Sequence, residues 1–114
     1  MIEKLYRIAE GLNSRFQDGD DPFYIATRLA EECGEVASQV SHFEHKGVKA
    51  EKLGPPDRDA FAKELQDVMR AVLQLAIHYD LQPELTKSVD DHYRQIVREG
   101  WVEPLPEESG NGEL

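Results

Sequence analysis

Apolar residues recur at three- and four-residue spacing along most of the chain, which is the period of amphipathic helices. The pattern predicts four helices whose ends are marked by turn formers: about Ile2 to Phe16, about Pro22 to Lys46, Asp57 or Arg58 to about Tyr79, and a fourth with Pro83 near its first turn that ends before Gly100. No segment alternates with the period of a strand. The sequence therefore predicts an all-α fold.

The connections between these helices define the expected architecture. The segment GVKAEKLGPP, residues 47–56, separates the two central helices and is long enough to let them pack antiparallel in a four-to-five-helix bundle. We expect one helical domain over residues 1–102. Residues 103–114, EPLPEESGNGEL, are acidic and have nothing to bury, which is typical of a disordered tail.

The third helix has a wider apolar surface than one neighbour can cover. Met69, Leu73 and Ile77 lie on a second flank beside its main apolar stripe. A surface of that width favours a homo-oligomer, because apolar patches left in water mark interfaces.

Composition narrows the classes of function. The chain has 114 residues and a formal net charge of -10, which argues against duplex nucleic-acid binding because phosphates require a basic surface. A nucleotide substrate remains compatible with this negative net charge, because a bound divalent cation reverses the local electric field. The sequence has one cysteine, Cys33, which we expect in the core, and it has no signal-peptide core and no 18-residue apolar run. These features predict a cytoplasmic protein without a membrane segment.

Acidic residues stand where two of the helices should be apolar. On the second helix, Glu32 falls inside the apolar stripe and Glu35 borders it; on the third helix, Glu64 falls inside the stripe and Asp67 borders it. The stripes consist of Leu29, Cys33, Val36, Val40 and Phe43 on the second helix, and of Phe61, Leu65, Val68, Val72 and Leu75 on the third.

The two acid pairs are in register. Each pair has i,i+3 spacing, and an offset of 32 residues superimposes Glu32 and Glu35 on Glu64 and Asp67. Antiparallel packing would project four carboxylates into one cleft, where they cannot all stay ionised without a compensating charge. Oxygen ligands of this kind select Mg²⁺, Mn²⁺ or Ca²⁺, and such an ion can lower the pKa of an attacking water. Glu31 precedes the first pair and could orient that water.

Other interpretations of these residues are simpler or use other metals. The acids could be solvated surface groups paired with Arg28, Lys63 or Arg70. A di-iron carboxylate bundle would need Glu-x-x-His, and no glutamate here has a histidine three residues on. Phe16, Tyr24 and Trp101 could stack on a nucleobase, but packing in the core or an interface is the better explanation for Phe16 and Tyr24.

At these residues the chain resembles the MazG-like, all-α NTP pyrophosphohydrolase superfamily. The family signature consists of two acids, two other residues, an acid, a spacer and then acid-x-x-Asp. This chain matches it with Glu31-Glu32-Cys33-Gly34-Glu35, a spacer of 28 residues, and Glu64-Leu65-Gln66-Asp67. The flanking segments RLAEECGEVA and KELQDVMRAVLQLA are also similar to those of the family.

The resemblance implies an enzyme that hydrolyses a (d)NTP to the monophosphate and pyrophosphate and could serve in nucleotide-pool cleansing. It implies that Glu32, Glu35, Glu64 and Asp67 bind Mg²⁺, with Mn²⁺ as a substitute, and that Glu31 is an auxiliary acid. It further implies a homodimer or homotetramer in which neighbouring subunits complete each site.

The chain departs from the family pattern on its last helix. Many relatives have Lys-Asn-x-x-Arg there, whereas this chain has Asp90-Asp91-His92-Tyr93-Arg94 and keeps only the arginine. Lys87, Arg94 and Arg98 are the candidates for binding phosphates. The departure leaves an alternative, a non-catalytic helical module derived from this family that binds nucleotide or protein.

Overall fold

The described chain is entirely helical outside its turns and connections. The structure is a computed structural model, and it describes residues 1–45 and 54–107. Four helices lie in these ranges: α1 (Ile2–Arg15), α2 (Pro22–Phe43), α3 (Arg58–His78) and α4 (Gln82–Arg98). No strand occurs in either range. The prediction of an all-α fold is confirmed.

The two long helices begin where the sequence places an aspartate cap. Asp21 accepts hydrogen bonds from the backbone N–H groups of Phe23 and Tyr24 at 2.9 and 3.4 Å, and Pro22 occupies the first turn of α2. Asp57 caps α3 in the same way, accepting from the N–H groups two and three residues on at 2.9 and 3.3 Å. Both caps satisfy donors that a helix start leaves without a partner.

The end of α2 was placed too late by the sequence pattern. The helix ends at Phe43, followed by a turn in which His45 has a φ of 56°. A positive φ turns the backbone away from the helical path, and the N–H of His45 bonds the carbonyl of His42 at 3.1 Å instead. Lys46 and the expected cap Gly47 lie outside the described residues.

The chain divides into two compact units, Met1–Asp80 and Leu81–Leu114. In the first unit, α3 packs against both α1 and α2. The buried apolar residues of this unit are Leu5, Ala9, Ile25, Ala71, Leu73 and Ala76. The second unit contains α4, and the N–H of Leu105 donates to the Tyr93 hydroxyl at 2.6 Å.

The predicted domain of residues 1–102 includes all of the first unit and most of the second. Residues 108–114 lie outside the described ranges, so the disordered tail stays a prediction. None of the described helices combines the length and the apolar character that crossing a membrane requires.

Contacts between α2 and α3 run in opposite order along the two helices. The rings of Phe43, at the end of α2, and Phe61, near the start of α3, lie 5.0 Å apart. Acids from the middle of each helix also meet. This is the order of contacts in an antiparallel pair, and it brings the two halves of the acidic motif together.

The buried face of α2 is not the predicted apolar stripe. Its buried residues are Ile25, Glu32, Gln39 and His42, whereas Cys33 and Val40 are exposed in the single chain. The expectation that Cys33 lies in the core is therefore wrong for this chain alone. α2 directs a face with one acid, one amide and one imidazole toward its intrachain neighbour and leaves much of its apolar stripe uncovered.

Candidate metal centre

Three of the predicted acids converge between α2 and α3. Glu32 on α2 and Glu64 and Asp67 on α3 each place a carboxylate oxygen within 4.8 Å of the others. Glu32 and Asp67 are only 6% and 9% exposed, and Glu64 is partly exposed. Acids are rarely buried in this way unless a positive charge accompanies them.

The other two predicted acids lie at the edge of this group. Glu35 and Glu31 are exposed, and neither belongs to the converging set among the described residues. Glu31 lies 3.7 Å from the guanidinium of Arg28. Glu35 is close enough for its charge to act on Glu64, whose pKa it helps to raise. We call Glu32, Glu64 and Asp67 the acid trio.

Basic side chains already surround two members of the acid trio. Arg28 donates to Glu32 at 3.1 Å. Lys63 and Arg70 lie 2.6 and 3.4 Å from the same oxygen of Asp67. Within the described residues no ion pair involves Glu64. The sequence suggests these cations only as partners of surface acids, but Arg70 and two of the acids are largely buried.

The surroundings of Glu64 within the acid trio disfavour its ionised form. Partial burial raises the pKa of Glu64 above its ordinary value of 4.5, because a desolvated carboxylate is harder to ionise. The hydrogen bond that protonated Glu64 gives to Glu32 raises this pKa further, and so does repulsion from Glu32, Asp67 and Glu35. Glu64 is therefore the member whose charge is least compensated by the chain itself.

The donor set of the trio suits a hard divalent cation. All three donors are carboxylate oxygens, the ligands that Mg²⁺, Mn²⁺ and Ca²⁺ prefer. Ligands of one Mg²⁺ lie at most about 4.2 Å apart, so oxygens within 4.8 Å of one another need only small side-chain rotations. The three residues of the acid trio therefore fit such an ion.

Two polar groups of α2 are buried: Gln39, for which the sequence gives no prediction, and His42, which its place near a helix end predicts to be exposed to solvent. Gln39 is 8% exposed, and its side-chain oxygen has no hydrogen-bond partner among the described residues. His42 is also buried, and its Nε2 lies 2.7 Å from the carbonyl oxygen of Gly54. Gln39 lies seven residues after Glu32 and on the same helix face, and this spacing of two polar residues was the signal that could have identified the face.

The predicted phosphate-binding residues lie on α4, in the second unit. Lys87 and Arg94 both pair with Asp91, Arg94 at 3.8 Å. Arg98 is in the last turn of α4, where a cation opposes the negative end of the helix dipole. Their part in binding phosphate stays a prediction.

No protein-family model, curated protein or solved structure matches the chain. The resemblance to the MazG-like superfamily thus rests on the residues of the acidic motif themselves.

Proposed function

We propose that the chain is a Mg²⁺-dependent nucleoside triphosphate pyrophosphohydrolase that converts a (d)NTP and water to the (d)NMP and pyrophosphate. The observation that supports this most is the convergence of Glu32, Glu64 and Asp67 from two helices into one partly buried group. Surface acids that serve only solubility have no reason to meet below the surface, where their mutual repulsion destabilises the fold.

In the proposed site, the acids that bind the metal differ from the acid that acts on the water. Glu32, Glu64 and Asp67 would hold Mg²⁺, or Mn²⁺ in its place, and Glu35 would be the fourth ligand. When bound, the ion would neutralise these acids and polarise the triphosphate oxygens. Glu31, exposed at the edge, would orient the water and accept its proton. Water oxygen then bonds the α-phosphorus, and the bond from that phosphorus to the bridging oxygen breaks to release pyrophosphate.

An oligomer is part of the proposal because an apolar surface is left uncovered on α2 and α3. Val40, Leu65, Met69 and Val72 are each between 37% and 46% exposed. These residues belong to the predicted stripes or their flank, and a second copy of the chain would cover them. We therefore propose a homodimer or homotetramer, with helices of several copies forming one bundle, in a cytoplasmic setting where the enzyme cleanses the nucleotide pool.

Turnover of a nucleotide panel tests the proposal directly. Canonical and modified (d)NTPs are incubated with Mg²⁺, and monophosphate and pyrophosphate are measured. We expect both products in equal amounts, and we expect their formation to fall at least about 100-fold in Asp67→Asn and Glu35→Gln. If every nucleotide survives, or if both variants cleave as well as the unaltered chain, the proposed activity is wrong.

A second candidate is a non-catalytic helical module that binds nucleotide or a partner protein. The pairing of Arg28, Lys63 and Arg70 with the acids favours it, because these cations compensate much of the charge without a metal. This module predicts no turnover and a melting temperature that Mg²⁺ leaves unchanged. The enzyme predicts a higher melting temperature with Mg²⁺, since a ligand of the native state stabilises it.

A further inference from the structure

A pocket adjoins the acid trio and shares its arginines. It has a volume of about 440 Å³ and lies between the end of α1, the connection to α2, α2 itself and α3. Phe16 and Tyr24 contribute aromatic rings to its lining, and Arg28 and Arg70 contribute guanidinium groups. Asp18 is the one acid among its described lining residues. All of these residues belong to the unit Met1–Asp80.

Arg28 and Arg70 stand between the pocket and the acid trio. Arg28 lies one helical turn from Glu32 and binds it at 3.1 Å. Arg70 lies one turn from Asp67, at 3.4 Å, and also donates to Gln74 at 2.9 Å. Each arginine thus contacts an acid of the trio while it lines the pocket, and both lie on the same side of the trio because the contacts of α2 and α3 run in opposite order.

A divalent cation competes with these arginines for the same carboxylates. The guanidinium of Arg28 is 40% exposed, so solvent weakens its attraction to the buried carboxylate of Glu32, whereas the pair of Arg70 and Asp67 is largely buried. A cation held by three carboxylates interacts with all of them at once and at shorter range. Once the metal holds Glu32 and Asp67, the guanidinium groups lose their anionic partners, although they still line the pocket.

We propose that Arg28 and Arg70 form an anion subsite for the triphosphate chain, which becomes available when a divalent cation takes over the carboxylates that they now bind. This inference rests on the proposed function, and it names binding residues other than those on α4. Guanidinium groups bind phosphate oxygens through paired N–H donors, so the two arginines suit a polyphosphate better than lysines would. Metal and polyphosphate then bind cooperatively, because the metal frees the groups that the anion needs.

Lys63 provides a matched control for the test. It binds the same oxygen of Asp67 as Arg70 does, but it does not line the pocket. Removing Lys63 or Arg70 therefore removes a competitor of the metal in both cases, whereas only the loss of Arg70 removes a pocket cation. Lys63→Gln and Arg70→Gln should both bind Mg²⁺ at least as tightly as the unaltered chain.

Calorimetric titration with inorganic tripolyphosphate, in excess Mg²⁺ and in EDTA, tests the proposal on the full chain. With Mg²⁺ we expect Arg28→Gln and Arg70→Gln to bind tripolyphosphate about tenfold more weakly than the unaltered chain, and Lys63→Gln to stay within about twofold. In EDTA the unaltered chain should bind at least about tenfold more weakly than with Mg²⁺. Arg28→Gln keeps the test decisive if Arg70→Gln does not fold, since Arg28 is the more exposed residue.

Two results would show that the anion subsite is wrong, and measurements of Mg²⁺ binding and nucleotide cleavage distinguish its failure from failure of the proposed function. Equal affinity of Arg28→Gln and the unaltered chain in Mg²⁺, or equal affinity of the unaltered chain in Mg²⁺ and EDTA, overturns it. If Mg²⁺ binds and nucleotides are cleaved while Arg28→Gln keeps full affinity, the subsite is wrong and the proposed function stands. If Mg²⁺ alone does not bind to the unaltered chain, both are wrong.

Discussion

Replacing Glu64 by glutamine should make the metal-free protein more stable and remove its response to Mg²⁺. Glu64 has no described ion pair, and its oxygen lies within 4.8 Å of oxygens of Glu32 and Asp67. Two like charges at 4.8 Å repel by about 1 kcal/mol with the screening of water and about 3.5 kcal/mol at an effective dielectric constant of roughly 20. Arg28, Lys63 and Arg70 offset much of this repulsion.

We therefore expect Glu64→Gln to raise the free energy of unfolding by about 1 kcal/mol at pH 7 in EDTA, or the melting temperature by about 4 °C. The size of this stability difference depends on pH. Because the folded protein raises the pKa of Glu64 above 4.5, its neutral form is favoured by folding, and that contribution is lost as pH rises through the raised value. The stability difference between the two proteins should vanish below about pH 4 and grow toward neutral pH.

Thermal melts with EDTA and with Mg²⁺ measure both effects. Mg²⁺ at ten times its dissociation constant should stabilise the unaltered chain by about 1.4 kcal/mol and should leave Glu64→Gln unchanged. Glu10→Gln is the control, because Glu10 is an exposed helical acid on α1 outside the acid trio. A Glu64→Gln protein that is less stable than the unaltered chain in EDTA would refute the reasoning, since Glu64 would then be a net favourable charge.

Three substitutions test the fold around the site by urea denaturation. Gly19→Ala should lose about 1 to 3 kcal/mol of stability, because a Cβ at Gly19 would lie 2.2 Å from the backbone oxygen of Leu12. Asp57→Ala should lose about 1 kcal/mol, because it removes the acceptor for two N–H groups at the start of α3. Gly34→Ala should gain up to about 1 kcal/mol, because an added Cβ meets nothing within 4 Å among the described residues and alanine favours the helix.

Gly11→Ala is the control for both glycine substitutions, since Gly11 is helical and a Cβ there also meets nothing within 4 Å. Gly11→Ala and Gly34→Ala should behave alike and Gly19→Ala oppositely. A stabilising Gly19→Ala would mean that the connection between α1 and α2 does not approach α1 as closely as described. An Asp57→Ala protein of unchanged stability would mean that the cap contributes nothing.

The helices could be predicted from sequence because their signals are local. Pro22 and Gly100 bound α2 and α4 through their own backbone preferences, and Asp57 caps α3 with its own side chain. The end of α2 could not be predicted to the residue, because the polar residues that follow Phe43 contain no helix breaker before Gly47. The turn at His45 ends the helix before that expected cap.

The buried face of α2 could not be predicted, because periodicity shows which residues are apolar and not which neighbour covers them. Val40 and Leu65 belong to the predicted stripes and are each 46% exposed in the single chain. Glu32 and Gln39 are buried although they are polar, because α2 turns this face toward α3. The meeting of Glu32 with acids of α3 was predicted all the same, because antiparallel packing brings together the middles of the two helices, where these acids lie.

The spacing of the acids along the sequence was also not enough to predict which of them belong to the acid trio. The i,i+3 pattern predicted the same role for Glu35 and Asp67, but Asp67 is largely buried and Glu35 is exposed. The part of the arginines was harder still to predict. Arg28 and Arg70 are 42 residues apart in sequence, and only the contact of α2 with α3 brings them to one pocket.

Titration with Mn²⁺ followed by electron paramagnetic resonance tests most directly whether the two helices gather their acids around a hard dication. Free Mn²⁺ gives a sharp signal that disappears on binding, so the spectrum counts bound ions. We expect saturable binding in the unaltered chain, at least about tenfold weaker binding in Glu32→Gln and in Asp67→Asn, and unchanged binding in Glu10→Gln, an acid on α1 outside the trio. Equal Mn²⁺ binding by all four proteins, or none by the unaltered chain, would contradict the account.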